Sequence, residues 1–441
     1  MTTYINASTP TGNDRRIKLL STDLIFGGID NVFVYPSLDI DRLKNALSHT
    51  LSSWLILTGR VFIDDNEQYF IEFSDKSIPF TYIENDQLEQ WPNLPVVVDD
   101  MTILQPFIDS VQYKPEIEPL LRLKVTRLVH SGEYILGTSF CHMIGDANSN
   151  IHFLNDLSQN YQHLEPCFPH PVFERHPLDE EDPEVSLLPI LKCYQNTNTR
   201  ELVIARIIKE QTETDYINIS FSSKQLAQLH TLAGGVHNGV TAHDAFCAYI
   251  ILTMNKYLFL TDDEYIRRTF MLINYRNTPD SLATNSNVIN AIITTLSSDF
   301  PEPLSLSSIA KTIRQLVETT RQKDYLRKLV TSANILMAQF IKNGHVNFVW
   351  DKNEVIFNSN FKYDWANEAN FGMINQCRFH TMGLFKYYFR IFQLNPVKGD
   401  DGNWTKDNGG VEVAFRIPKE LKEKFIEACK KDAAENFINV K

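Results

Sequence analysis

A histidine and an aspartate four residues apart form the group in this chain best suited to proton transfer. His142 ends the apolar, strand-like run 133–141, and Asp146 follows it. Histidine exchanges a proton near neutral pH, and at a strand end its ring can face a cleft. A carboxylate at this spacing can hold the local turn in shape. The pair therefore predicts a fixed general base, with a hydrogen-bonded structural histidine as the alternative.

The same spacing recurs at His152 and Asp156, so the pattern alone is not specific. Gly145 lies inside the first motif, where a tight turn needs a glycine. The second motif lies in the segment 149–157, whose apolar residues have helical spacing. We therefore interpret His142 as the candidate catalytic residue and His152 as an ordinary helix residue.

Length and charge limit the class of protein. The chain has 441 residues, which favours two domains of about 200 residues each. Its composition is that of a soluble globular protein, with 43% hydrophobic and 22% charged residues. A net charge of -12 argues against general nucleic-acid binding, while leaving room for a local basic pocket that takes a phosphorylated cofactor.

The cysteines and the termini indicate a cytoplasmic protein without metal. Six cysteines lie far apart, at 141, 167, 193, 247, 377 and 429, and no CxxC pair occurs. This favours reduced thiols over disulfides or a zinc site. Cys141 could be a nucleophile, although a small buried strand residue is the favoured interpretation. We expect no signal peptide and no membrane span, because the required apolar runs are missing.

Strand and helix patterns alternate along the chain. They predict strands at 61–63, 121–128, 216–221, 268–274 and 411–417, and helices that begin at Asp39, Ser223, Thr241, Leu304 and Pro418. We expect the first helix to continue through Leu51 and Trp54 to Leu57–Arg60, Gly234 to end the helix capped by Ser223, and the helix from Leu304 to reach about Gly344. This alternation predicts an α/β or mixed α+β fold.

A proline-rich stretch separates the two halves. Prolines lie at 166, 169, 171, 177, 183 and 189, around the acidic run 179–182. The composition is typical of a linker or a long crossing loop, with an extended surface loop inside one domain as the alternative.

The chain resembles the BAHD acyltransferases, which move an acyl group from coenzyme A to an alcohol or amine. The resemblance covers nearly the whole chain and depends on the order of several short segments. They are Leu20–Asp23, Leu57–Arg60, the HxxxD motif at 142–146, Ser149 with Phe153 and Leu154, Thr241–Asp244, Asn274–Arg276, Ser286–Asn287, and Asn370–Gly372 in place of Asp-Phe-Gly-Trp-Gly.

This resemblance implies two chloramphenicol-acetyltransferase-like domains, each a mixed sheet flanked by helices, with a tunnel between them. The domains would span 1–190 and 191–441, joined by a crossing loop at about 165–215. His142 would lie in mid-tunnel, and coenzyme A thioester and a small-molecule acceptor would reach it from opposite faces. The acyl groups would be other than aminoacyl. We expect a monomer, because such a tunnel needs no partner chain.

The resemblance also implies roles for the other site residues. Asp146 would pair with Arg276 and, like Gly145, support the site's shape. The predicted cofactor-binding residues are Thr241, Asn287, Asn370, Phe371 and Gly372. A helix start at Thr241 could bind phosphate, although a well-capped helix is the alternative. The reaction also needs an oxyanion donor, which the sequence does not identify; Thr381 and Asn287 are only candidates for it.

Two other functions stay open. A condensation-type enzyme with a carrier-bound acyl donor shares the motif, but such enzymes usually carry a second histidine where this chain has Cys141. A non-catalytic binding protein is allowed by the departures from the family pattern. These are Ala147 in place of a glycine, Asn370 in place of an aspartate, and Met373 and Ile374 in place of Trp-Gly.

Overall fold

The computed structural model describes residues 1–10, 12–13, 15–178, 182–195, 199–278, 282–342 and 350–440. Most of the acidic run 179–182 and the predicted helix end at Gly344 lie outside these ranges.

The strands are numbered in chain order. They are β1 Thr2–Ile5, β2 Arg16–Lys18, β3 Gly28–Tyr35, β4 Arg60–Ile63, β5 Tyr69–Glu72, β6 Ile78–Asn85, β7 Val97–Val98, β8 Leu121–Leu128, β9 Tyr134–Cys141, β10 Thr214–Phe221, β11 Arg268–Asn274, β12 Ile292–Leu296, β13 Glu354–Ser359, β14 Arg378–Met382, β15 Tyr388–Gln393, β16 Val397–Lys398, β17 Trp404–Thr405 and β18 Val411–Pro418.

The helices follow the same numbering. They are α1 Ile40–Ser53, α2 Met101–Leu104, α3 Ala147–Tyr161, α4 Arg200–Glu213, α5 Ser223–Leu232, α6 Ala242–Tyr257, α7 Leu306–Thr320, α8 Lys323–Lys342, α9 Trp365–Glu368 and α10 Lys419–Ala434. Short 3₁₀ turns lie at Ser21–Asp23, Leu55–Thr58, Gln105–Phe107, Val185–Leu187, Lys192–Tyr194, Gly235–Asn238, Asp262–Glu264 and Ile438–Val440.

Two large mixed sheets organise the described chain. The first has the order β1-β6-β8-β9-β3-β14-β7, and the second has the order β10-β18-β15-β13-β11-β12. One buried cluster joins the first sheet to α1 and α3, and another joins the second sheet to α5, α6, α7, α8 and α10. The predicted mixed α/β fold is confirmed.

One strand crosses between the halves. β14 comes from the second half of the sequence, yet it pairs antiparallel with β3 of the first sheet, with Arg378 opposite Val34. The halves are therefore tied together by backbone hydrogen bonds as well as by side-chain packing.

Several predicted boundaries follow from the residues that cap helices. Thr241 and Asp244 form a reciprocal capping box at α6, as expected. Gly234 adopts φ +96° directly after α5, which a residue without Cβ does at little cost. The cap of α5 is Ser222, so the prediction of Ser223 is wrong by one residue.

Two helix predictions are wrong in extent. The first helix ends at Ser53, and a 3₁₀ turn covers Leu55–Thr58, so the chain tightens before β4. The predicted single helix from Leu304 is two helices, α7 and α8. The interruption falls at Arg321, whose N–H still bonds to Val317 O at 3.2 Å. No glycine or proline marks this break, so the helical spacing of apolar residues alone predicts one continuous helix.

Candidate active site

The HxxxD motif forms the turn between a strand and a helix. His142 follows β9 directly, and its backbone N–H donates to the carbonyl oxygen of Gly27 at 2.9 Å. Asp146 caps α3, where its Oδ1 accepts from the N–H of Ser149 at 3.1 Å. His142 is half-buried, whereas Cys141 and the other residues of the turn are buried. The ring is thus held at a defined point without being sealed in the core.

Gly145 is required by close packing inside this turn. A Cβ at position 145 would lie 2.5 Å from both Cβ and Oγ of Ser149. The same Ser149 Oγ bonds to the carbonyl oxygen of Ile289, so it has little freedom to move aside. The glycine therefore lets the turn, α3 and a segment of the second half meet.

Asp146 and Arg276 form a buried ion pair, as the family resemblance implies. Arg276 Nη1 donates to Asp146 Oδ2 at 2.6 Å, and both side chains are at most 3% exposed. Arg276 Nη2 donates to the carbonyl oxygens of Ile289 and Asn287, while the N–H of Ala291 donates to Asp146 Oδ2. The pair thereby fixes the segment 287–291 of the second half against the motif.

Asn290, which the sequence reading missed, contacts the histidine ring itself. Its Oδ1 lies 3.1 Å from His142 Nδ1, and its Nδ2 donates to the His142 carbonyl oxygen at 2.7 Å. An amide oxygen can only accept, so Nδ1 carries the ring proton and Nε2 keeps its lone pair. A usable signal exists in the sequence: Asn290 is the one polar residue in the apolar run 288–293.

The ring's surroundings favour its neutral form. Burial lowers the pKa of His142 below its usual value of 6.5, and its own carbonyl, Asp146 and Asn290 offset part of that effect. A neutral imidazole with its proton on Nδ1 can act as a base through Nε2.

A second buried ion pair lies on the other side of Asn290. Arg175 Nε donates to Asp23 Oδ2 at 3.2 Å, and both side chains are at most 3% exposed. Arg175 also donates to the carbonyl oxygens of Ile144 and Phe173. The proline-rich stretch between the halves therefore supplies a residue that reaches the motif turn.

A polar chain leads from the motif helix to a basic region. Tyr363 donates its hydroxyl to Asn148 Oδ1 at 3.0 Å and accepts from Asn274 Nδ2 at 3.2 Å. Arg321 Nη2 donates to the carbonyl oxygen of Asn274 at 2.8 Å. Burial, and after it repulsion from Arg276, lowers the pKa of the neighbouring Lys362. Cationic side chains are therefore concentrated on this side of the motif.

The predicted cofactor residues at 241 and 287 are engaged in local turns. Thr241 Oγ1 and N–H bond to Asp244, whose carboxylate also pairs with Arg314 at 2.8 Å. Asn287 Oδ1 accepts from the N–H and hydroxyl of Thr284. Thr381, the other candidate oxyanion donor, gives its hydroxyl proton to the carbonyl oxygen of Asp30. The described contacts bring none of these side chains to His142.

The predicted loop at Asn370, Phe371 and Gly372 packs at the other end of α3. The Phe371 N–H donates to Ser158 Oγ at 2.9 Å, and the Phe371 ring lies against Tyr35 and Tyr161. Gly372 has φ +88°. Ser158 follows Asp146 by twelve residues, which is about 18 Å along a helix. The loop thus lies far from Asp146 and the motif turn.

The chain matches a known protein family over nearly its whole length. A sequence model of the transferase family matches residues 2–428. The chain belongs to this family. It is the BAHD acyltransferase family that the motifs resemble, so that recognition is confirmed.

Individual members of the family are distant relatives. A hydroxycinnamoyltransferase of Narcissus pseudonarcissus is 24% identical over 242 residues, which are 51% of this chain and 54% of that protein. The chain thus spans about half the length of the curated relative it matches. TRI101 of F. sporotrichioides, solved in complex with coenzyme A and T-2, shares 14% identity with a TM-score of 0.67 over 95% of this chain and 97% of its own. Vinorine synthase shares 17% identity with a TM-score of 0.63 over 97% of both chains.

Two structural features are absent from the described ranges. No group of three or more His, Cys, Asp or Glu residues there could hold a metal ion. Among the helices of those ranges, none is both long and apolar enough to cross a membrane.

Proposed function

We propose that this chain transfers an acyl group from a coenzyme A thioester to a hydroxyl or amine of a small molecule, with His142 as general base. One observation carries the proposal: Asn290 Oδ1 accepts from His142 Nδ1, which leaves the Nε2 lone pair for the acceptor's proton. Membership of the BAHD family, whose members use acyl-CoA donors, supports the same reaction.

The reaction needs no covalent enzyme intermediate. His142 Nε2 takes the proton of the acceptor O–H or N–H as the acceptor oxygen or nitrogen attacks the thioester carbonyl carbon. The tetrahedral intermediate then breaks its C–S bond, and the imidazolium returns the proton to the departing sulfur. Cys141 takes no part, since burial raises the pKa of its thiol to about 11 and keeps it protonated.

Asp146 supports the base by position in this proposal. Its carboxylate oxygens accept from Arg276, Ser149 and Ala291. It is therefore occupied in joining the halves, and it maintains the approach of Asn290 to His142. We propose that the boundary between two domains lies near residue 190, so that the base comes from one domain and its orienting amide from the other.

The charge distribution supports an anionic donor. Phosphate groups of coenzyme A are attracted to clustered cations, and Arg321 and Lys362 adjoin the polar chain that ends at Asn148. We propose that the donor approaches from this side. The cofactor-binding roles of Thr241, Asn287 and the 370–372 loop stay predictions.

The test is thiol release from a panel of acyl-CoAs, with pooled alcohols and amines as acceptors. Wild type, His142→Gln and His152→Gln are compared, and circular dichroism checks that each is folded. The matched pair alters the same residue type in the two HxxxD repeats. We expect acceptor-dependent release that is lost in His142→Gln and retained in His152→Gln.

Two outcomes contradict the proposal. Equal activity in wild type and folded His142→Gln removes His142 as the base. Absence of release from every acyl-CoA, together with no coenzyme A binding by calorimetry, removes the donor. Transfer from a carrier-protein thioester in that case identifies a condensation-type enzyme.

A further inference from the structure

Asp23 is a buried carboxylate that the proposed reaction does not use. It is 1% exposed, at the end of the 3₁₀ turn Ser21–Asp23. Its Oδ2 accepts from the Leu20 N–H at 3.1 Å and from Arg175, and its Oδ1 accepts from the Asn290 N–H at 3.2 Å. A buried charge with this many donors is held in one orientation.

The same carboxylate adjoins the amide that orients the base. Asn290 Nδ2 lies 2.7 Å from the His142 carbonyl oxygen, 3.4 Å from Asp23 Oδ1 and 3.5 Å from the Asp23 carbonyl oxygen. Three oxygens surround the NH₂ group, so this end of the amide must be the donor. A flipped amide would place its oxygen against all three.

The flipped amide would also present its NH₂ group to His142 Nδ1. Nδ1 would then have to accept, which moves the ring proton to Nε2 and leaves no lone pair there for the acceptor's proton. The Asn290 orientation thus decides which ring nitrogen is the base.

We propose that Asp23 is a positioning residue that fixes the Asn290 amide and, through it, keeps the His142 proton on Nδ1. Arg175 completes the arrangement, because it holds the carboxylate and also bonds to the Ile144 carbonyl oxygen inside the motif turn. The kinetic consequence rests on the proposed function, whereas the tautomer itself can be measured without substrate.

The first experiment is ¹⁵N NMR of the full chain labelled at histidine, with the His142 ring signals assigned by their loss in His142→Gln. Wild type is expected to show protonated Nδ1 and unprotonated Nε2. Asp23→Asn is expected to shift the ring toward protonated Nε2. Asp156→Asn is the matched control: it neutralises another buried carboxylate, whose hydrogen-bond donor is Trp54 rather than Asn290, and it is expected to keep the wild-type tautomer.

Exchanging the carboxylate and the amide between positions 23 and 290 is a second test of how the Asn290 group sets the tautomer. It also keeps the proposal testable if the single variant misfolds. In Asp23→Asn/Asn290→Asp, the pair again carries one carboxylate, and the group facing His142 Nδ1 can only accept. We expect the Nδ1–H signal to return. Retention of the wild-type ring signals in folded Asp23→Asn overturns the proposal, as does failure of the signal to return in the folded double variant.

Steady-state kinetics give the second readout. A general base contributes about 10² to 10⁴-fold to rate, and partial loss of the correct tautomer should lower kcat of Asp23→Asn by roughly tenfold or more. KM for the acyl donor should stay near that of wild type. A changed tautomer with unchanged kcat would leave the positioning role standing and contradict the proposed general base instead.

Discussion

The two HxxxD repeats of this chain have the same spacing and opposite surroundings. His142 and Asp146 lie on either side of a turn, and each bonds to the second half of the chain. His152 and Asp156 lie within one helix, where they are 1% and 4% exposed and 3.5 Å apart. Trp54 Nε1 donates to Asp156 Oδ2 at 2.8 Å.

The difference shows that the spacing of the pair does not set its environment, because the hydrogen-bond partners differ between the two repeats. In the first repeat, Asp146 is held by Arg276, and one nitrogen of His142 faces an acceptor. In the second repeat, burial lowers the pKa of His152 to about 4 and raises that of Asp156 to about 6. Both are therefore neutral near pH 5, as low-polarity surroundings require.

The two repeats should differ most in the free energy of unfolding that is lost when the carboxylate is replaced. Asp146→Ala leaves Arg276 buried without its charge partner, and breaking such a pair costs about 3–5 kcal/mol in free energy of unfolding. Asp156→Asn keeps an acceptor for Trp54 and should cost about 1 kcal/mol or less. Urea unfolding followed by circular dichroism measures both, and equal losses would contradict the distinction.

The third residue after each histidine offers the next contrast. Gly145→Ala introduces a Cβ 2.5 Å from Ser149, and overpacking of this kind costs about 1–3 kcal/mol. Asn155→Ala loses the bond from Asn155 Nδ2 to Glu368 Oε2 and gains helix propensity, for a net cost below about 1 kcal/mol. Thermal unfolding ranks the two variants; a greater loss in Asn155→Ala would show that the turn can relax around a methyl group.

In the second repeat, replacing one member of the pair at a time should give two variants whose stabilities change with pH in opposite directions. Near pH 5 the folded pair holds its proton on Asp156 and the unfolded pair holds it on His152, so the counts match. In Asp156→Asn, the unfolded state binds more protons between about pH 4 and 6.5, and stability should rise with pH. In His152→Gln, the folded state binds more between 3.8 and about 6, and stability should fall as pH rises.

These slopes approach 1.4 kcal/mol per pH unit for one proton. Urea unfolding at pH 4.5, 5.0, 5.5 and 6.0, with wild type as reference, measures them. Parallel curves for the two variants would show that burial does not shift the pKa values of His152 and Asp156 in opposite directions.

The smallest expected effect is the pH dependence of kcat/KM that His142 sets. The pKa of His142 is below 6.5, and the base must be neutral, so kcat/KM should rise with pH through a midpoint below 6.5 and then level off. A pH–rate profile of wild type measures the midpoint. A midpoint above 6.5 would show that nearby carboxylates outweigh burial.

Local features of the fold were predictable from sequence. The strands β8 and β11 have the predicted bounds, and the Thr241–Asp244 capping box is present, because alternation and capping depend on neighbouring residues. The ion pair of Asp146 with Arg276 was accessible only through resemblance to a family.

The roles of Asn290 and Asp23 escaped prediction for a physical reason. Their contacts join residues 142 and 290, and 23 and 290, which no local period encodes. The break between α7 and α8 also escaped prediction, since Arg321 and Gln322 both favour helix by propensity.

The insertion of β14 between β3 and β7 has a consequence for folding during synthesis. Until residues 378–382 leave the ribosome, the β3 edge lacks its neighbour on that side, although β3 can already pair with β9. Pairing across so long a separation is slow, and an open strand edge recruits other chains. A nascent chain of this protein should therefore depend on chaperone protection of that edge until residues 378–382 have emerged from the ribosome.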